Sequence, residues 1–147
     1  MQLGHGEFIP EEKRSTLSIS SQVGCTLNCS FCHTGTQKLV RNLSSQEIVG
    51  QVIAVYDDLE LWKKLKSSEG ISSFFEVITN IVFMGMGEPL LNYEEVKKAC
   101  SVLMDNKGLD FSRRRITLST AGIVPKIKIA HEAVSYTHLT LPTNREV

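Results

Sequence analysis

Three cysteines stand within eight residues, in the run Cys25-Thr26-Leu27-Asn28-Cys29-Ser30-Phe31-Cys32. The spacing C-x3-C-x2-C lets three thiolates hold three corners of a cubic iron–sulfur cluster, and no fourth cysteine stands nearby for the last iron. An iron without a protein ligand is a place where a small molecule can bind and receive an electron. The alternative is structural zinc, which needs a fourth ligand. His33 is badly spaced to close a tetrahedron beside its neighbour Cys32, which leaves His5 or His131 to fold back. Cys100 shares a helical face with Val96, Ala99 and Leu103 and reads as a buried small hydrophobe.

A second constellation is the turn Gly85-Met86-Gly87-Glu88-Pro89. Glycines after a strand let the backbone approach a ligand, and Glu88 offers a carboxylate to an ammonium group. Such a turn is weak evidence alone and gains weight from the cysteine triplet one β/α unit earlier. Ser119 ends a later strand on the same side, though a lone serine there is usually an ordinary turn residue. Lys38 and Arg41 lie in the cysteine loop, placed to meet a phosphate backbone. The run Arg113-Arg114-Arg115 reads first as a solvated face.

These residues need elements to position them. Leu17 and Ile19 alternate with polar neighbours over Thr16 to Ser21, which predicts a half-buried strand entering a loop from about Gln22 to Asn42. Ser44-Ser45-Gln46-Glu47 reads as a capping box. The helix it opens carries Ile48, Val52, Tyr56 and Leu59, extended by Trp62, with Lys63, Lys64 and Lys66 in its last turn. The stretch 66–73 (KSSEGISS) is a connecting loop. Asn80 to Met84 is a continuous apolar run, expected as a strand buried on both faces. Asn92 is expected to cap a helix from Tyr93 to Lys107, ended by a left-handed Gly108. Arg115 to Ser119 predicts a third strand, and Pro125 the start of a short helix. The pattern is α/β, with about three β/α units, parallel strands and chemistry on the loops after the strands.

The chain has 147 residues, 41% hydrophobic and 22% charged, with formal net charge +0, so nucleic-acid contact would need a local basic patch. Met1 to Phe8 holds no apolar signal core and no run reaches transmembrane length, so no membrane is expected. The cysteine pattern reads as cytoplasmic and reducing rather than as a disulfide framework. Residues 1–14 form a lead-in and 15–134 the core. Residues 135–147 (SYTHLTLPTNREV) read as a non-native or disordered tail, because they resemble a translated adapter read-through and Pro142 interrupts their only β-like run.

Phe31 before the third cysteine matches the radical S-adenosylmethionine (SAM) pattern, and the likeness extends well beyond it. Residues 9–11 (IPE), 19–41 (ISSQVGCTLNCSFCHTGTQKLVR), 42–43, 47–51, 84–92 (MGMGEPLLN) and 113–125 (RRRITLSTAGIVP) resemble the RlmN family of radical SAM adenine-C2 RNA methyltransferases. The relative that modifies adenine C8 is a weaker match. The resemblance implies an incomplete parallel (β/α) partial barrel, a truncated radical SAM core. It implies a 4Fe–4S cluster on Cys25, Cys29 and Cys32, with Gly87, Glu88 and Ser119 contacting SAM. It also implies 23S rRNA and tRNA as substrates, whose phosphates Lys38 and Arg41 are placed to meet, and an electron donor such as flavodoxin. In that family one SAM methylates a cysteine and a second generates the radical that activates the methyl group, because adenine C2 is a poor nucleophile. No cysteine follows Cys100 to carry that methyl group. The position of the family's resolving cysteine is Ser18, whose hydroxyl cannot form a disulfide. The acidic proton acceptor falls on His5, or on Glu7 with a small gap. The 147 residues alone are therefore expected not to methylate RNA; a stand-alone iron–sulfur or zinc module, or a decayed gene product, are the other readings.

Overall fold

The computed structural model describes residues 7–11, 14–27, 37–60, 77–123, 125–127 and 138–140, with backbone alone at 7–11, 14 and 138–140. Its main sheet has five strands in the order β1-β2-β5-β6-β7: β1 Glu7–Glu11, β2 Arg14–Ser18, β5 Asn80–Phe83, β6 Ile116–Ser119 and β7 His138–Thr140. β2, β5, β6 and β7 run parallel, as the β/α pattern requires. β1 pairs antiparallel with β2, an addition that the sequence pattern did not announce. β3 (Gln22–Val23) and β4 (Arg41–Asn42) form a separate antiparallel pair that closes the base of the cysteine loop.

One face of the sheet is apolar. Leu17, Ile81, Phe83, Ile116 and Leu118 are buried and line up across β2, β5 and β6. Helix α1 (Ser45–Asp58) covers this core with Ile48, Val52 and Tyr56, and α2 (Tyr93–Leu103) with Val96, Ala99, Cys100 and Leu103. Alternate strand residues are half-buried on the opposite face. β5 is thus not buried on both faces: Asn80 and Val82 are intermediate, and Met84, beyond the strand, is 54% exposed.

The capping box forms as expected, with Ser44 accepting from the Glu47 amide and Glu47 accepting from the Ser44 amide. α2 begins at Tyr93 with Asn92 at the N-cap position, as expected, but departs from expectation in how it is capped and where it ends. Asn92 makes no side-chain cap; its amide donates instead to the Ser21 and Leu43 carbonyls, at 2.8 and 2.7 Å. The helix stops at Leu103, because the chain folds back and Phe111 N–H donates to the Leu103 carbonyl. Asp110, not Gly108, takes the left-handed conformation (φ 52°). Arg113–Arg115 is a 3-10 turn before β6, and 125–127 are helical.

Trp62, the lysines after it and the 66–73 stretch lie outside the described residues, as do His5, His33 and His131. Most of the expected tail does too. His138–Thr140 pairs with β6, which the expectation of a disordered tail did not include. Among the described residues no helix is long and apolar enough to cross a membrane.

Candidate active site at the strand ends

The carboxyl ends of β2, β5 and β6 carry, in order, the cysteine loop, the 85–89 turn and the 119–122 turn. Cys25 begins the loop and is partly exposed. Its amide donates to the Gln37 carbonyl (3.0 Å), and a parallel bridge joins it to Lys38. Leu27 N–H points at the Cys25 sulfur (3.4 Å). Gly24 is left-handed (φ 76°), and a Cβ there would lie 2.1 Å from the Lys38 carbonyl oxygen. Only glycine lets the two sides of the loop meet. Cys29 and Cys32 lie outside the described residues. Among those described, no three His, Cys, Asp or Glu side chains converge on a metal position.

The 85–89 turn is zipped to the segment that leads into the loop. Gly85 N–H donates to the Ile19 carbonyl, and Ser21 and Gln22 amides both donate to the Met86 carbonyl. Ser20 Oγ accepts from the Met86 amide (2.9 Å) and occupies the space that a Cβ on Gly85 would need. Gln51 of α1 holds Ser20 from the other side, accepting from its amide and donating to its carbonyl, both at 2.9 Å. Gln22, 1% exposed, accepts from the Glu88 amide (2.9 Å) and donates to Asn42 Oδ1 (2.7 Å). Its Cβ and Cγ leave no room for a side chain at Gly87, whose φ is 96°. The sequence alone did not mark Gln22, Gln51 or Thr120, and it marked Asn92 only as a helix cap.

Glu88 is 3% exposed and ties two turns together. Oε1 accepts from the Leu90 amide (3.0 Å) and the Thr120 hydroxyl (2.8 Å); Oε2 accepts from the Ala121 amide (2.7 Å). A carboxylate oxygen can accept about two hydrogen bonds, so Oε2 keeps capacity for one more donor. Ser119 is half-buried at the end of β6, next to Thr120. Ser18 and Glu7 are Cα partners across β1 and β2, so the hairpin brings these two positions together.

The two basic candidates differ. Lys38 is exposed. Arg41 makes a two-pronged ion pair with Glu47, both contacts at 2.7 Å, which holds that carboxyl down to about 2. Arg114 is exposed, as expected for a solvated face. A cavity of about 360 Å³ opens beside Asn42 and Asn92, with Glu94 and Lys126 on its walls.

A parallel sheet gathering a thiol-bearing loop, a glycine turn and a buried carboxylate at one end has the layout of a cofactor-dependent α/β enzyme. The chain belongs to the radical SAM superfamily, whose model matches residues 19–143. It is 56% identical over 145 residues to the dual-specificity RNA methyltransferase RlmN of Paracoccus denitrificans, covering 95% of this chain and 36% of that protein. It is 59% identical over 126 residues to RlmN of Jannaschia sp. (85% and 32%). A radical SAM methyltransferase from Sphaerobacter thermophilus, known by crystal structure, superposes with a TM-score of 0.73 at 38% identity, over 91% of this chain and 36% of that one. The chain thus spans about a third of the length of these relatives.

Proposed function

We propose that this chain is the cluster- and SAM-holding part of an RlmN-type methyltransferase acting on adenine C2 of 23S rRNA and tRNA. The observation that carries this reading is the bonding of residues 19–22 to the 85–89 turn, which sets the start of the cysteine loop beside Glu88. The naming of the relatives as RNA methyltransferases supports the RNA substrate.

Cys25, Cys29 and Cys32 would hold a 4Fe–4S cluster; the N–H directed at Cys25 and its partial exposure fit a thiolate ligand. Bound there, such a cluster would supply one electron to the sulfonium of SAM. Glu88 would receive the SAM ammonium on the free side of Oε2, while its other bonds keep the carboxylate from turning away. Gly87 would offer backbone to the same ligand, and Ser119 a hydroxyl to its nucleoside end. Lys38 would meet RNA phosphate directly. Arg41 would have to exchange Glu47 for phosphate, a trade between two charged partners. Glu7 and Ser18 would stand at the positions of the proton acceptor and the resolving group. The electron donor would be a flavodoxin or similar protein, in the cytoplasm.

Anaerobic reconstitution with iron and sulfide tests the reading. The expected result is about four irons per chain and an electron paramagnetic resonance (EPR) signal that shifts when SAM is added. One tightly bound zinc and no iron would sink it. No RNA methylation is expected from the 147 residues alone, which mass spectrometry for 2-methyladenosine checks.

A further inference from the structure

We infer that Gln22 is a positioning residue that couples the cysteine loop to the SAM-binding turn, an inference that rests on the reading of the site given above. Gln22 stands three residues before Cys25 and is 1% exposed. Its two carboxamide atoms work in opposite directions. Oε1 accepts from the amide of Glu88, 66 residues away. Nε2 donates to Asn42 Oδ1, on the strand that leaves the cysteine loop.

The side chain therefore bonds at once to the exit of the loop and to the residue whose carboxylate faces the ligand. Its backbone takes part as well: Gln22 N–H donates to the Met86 carbonyl, and β3 pairs Gln22 with Asn42. Gly87 packs against Gln22 Cβ and Cγ, so neither the turn nor the amide can shift without moving the other. A carboxamide is required because one site needs an acceptor and the other a donor. Leucine, of similar size, offers neither.

Backbone alone would hold the loop to the turn through the Met86 carbonyl. What Gln22 adds is register between the loop's exit strand and the Glu88 amide, and hence the distance from cluster to SAM amine. A variant that keeps the fold should then hold iron and lose its hold on SAM. The direct contacts of SAM would remain intact, so the loss would come from geometry rather than from a missing ligand.

Two measurements on Gln22→Leu and Asn42→Ala test this. In the unloaded chain, amide hydrogen exchange should accelerate about tenfold or more at Glu88 and, together with it, across 24–27 and 37–42 in the Gln22→Leu variant. Acceleration confined to Glu88 would overturn the coupling. In reconstituted chains, Gln22→Leu should keep near-normal iron content, raise the Kd for SAM about tenfold and diminish the SAM-induced EPR shift. A Kd within twofold of the parent, with the same shift, would overturn the inference. Asn42→Ala removes only the exposed end of the relay and decides the matter if Gln22→Leu does not fold. It should raise the Kd about threefold, and an unchanged Kd together with unchanged exchange at Glu88 would count against the relay. A parent chain that binds no cluster or SAM would defeat the functional reading instead, while the exchange measurement on the unloaded chain still decides the coupling.

Discussion

Three donors hold the Glu88 carboxylate still, which is what its proposed role toward a ligand requires. Replacing it by Gln turns one acceptor oxygen into a donor facing an N–H or hydroxyl. Thr120 can rotate, but the Leu90 and Ala121 amides cannot. Glu88→Gln is expected to cost about 1–3 kcal/mol of stability, read by urea unfolding. Cys100, unlike the partly exposed Cys25, is buried. Burial pushes its thiol up to about 12, so iodoacetamide at pH 8 should leave it unmodified in the folded chain and label it in urea, as peptide mass spectrometry would show. Glu47 supplies the pH dependence. The Arg41 guanidinium, first, and the Ser44 amide lower its pKa from 4.5 to about 2, so its folded value lies below its unfolded one. Its stabilisation of the α1 cap is complete above about pH 4.5 and is lost as pH falls toward about 2, and it is smaller at high salt, because the pair is exposed. Acid titration of helical circular dichroism, parent against Glu47→Gln, measures it. The thiols and Glu88 were marked as candidates by type and spacing. Gln22, Gln51 and Asn92 were not, because an isolated polar residue in a loop looks solvated until its partner arrives from 20 to 71 residues away.

At the scale of elements, the cysteine loop is built by its base. Gly24→Ala would set a Cβ 2.1 Å from the Lys38 oxygen and force a left-handed alanine, itself about 1–2 kcal/mol unfavourable. The bridge between Cys25 and Lys38 should open, and iron bound per chain after reconstitution should fall well below the parent value. The start of α1 was legible because a capping box is a local pattern of four residues. The start of α2 at Tyr93 was legible too, but the role of the Asn92 side chain was misread for the complementary reason. Asn92 sits at a cap position, but two buried carbonyls, those of Ser21 and Leu43, need a donor more than the helix end does. Asn92→Ala is therefore expected to destabilise the whole chain by about 1–3 kcal/mol, more than loss of a typical cap, with urea unfolding as the measure.

For the whole molecule, the sheet sets which loops can share a ligand. β2, β5 and β6 are adjacent, so the loops after them meet at one edge although 20 or more residues of chain separate each from the next. A ligand that touches all three should tie them together. With the cluster in place, SAM at about a hundred times its Kd should add about 2.7 kcal/mol, a rise in Tm of about 5–10 °C by anaerobic calorimetry. Sequence by itself determined the thiolate spacing, the glycine turn, the capping box and the β/α order, because each is a pattern of neighbouring residues or of local periodicity. Tertiary structure alone decided that β1 returns antiparallel, that α2 ends at Leu103, and that Arg41 already has Glu47 as its partner. It also decided that three buried carboxamides and one carboxylate bind the loops to one another. Hydrogen bonds between distant segments depend on which strands lie side by side, and that order is set by burial of the shared apolar face.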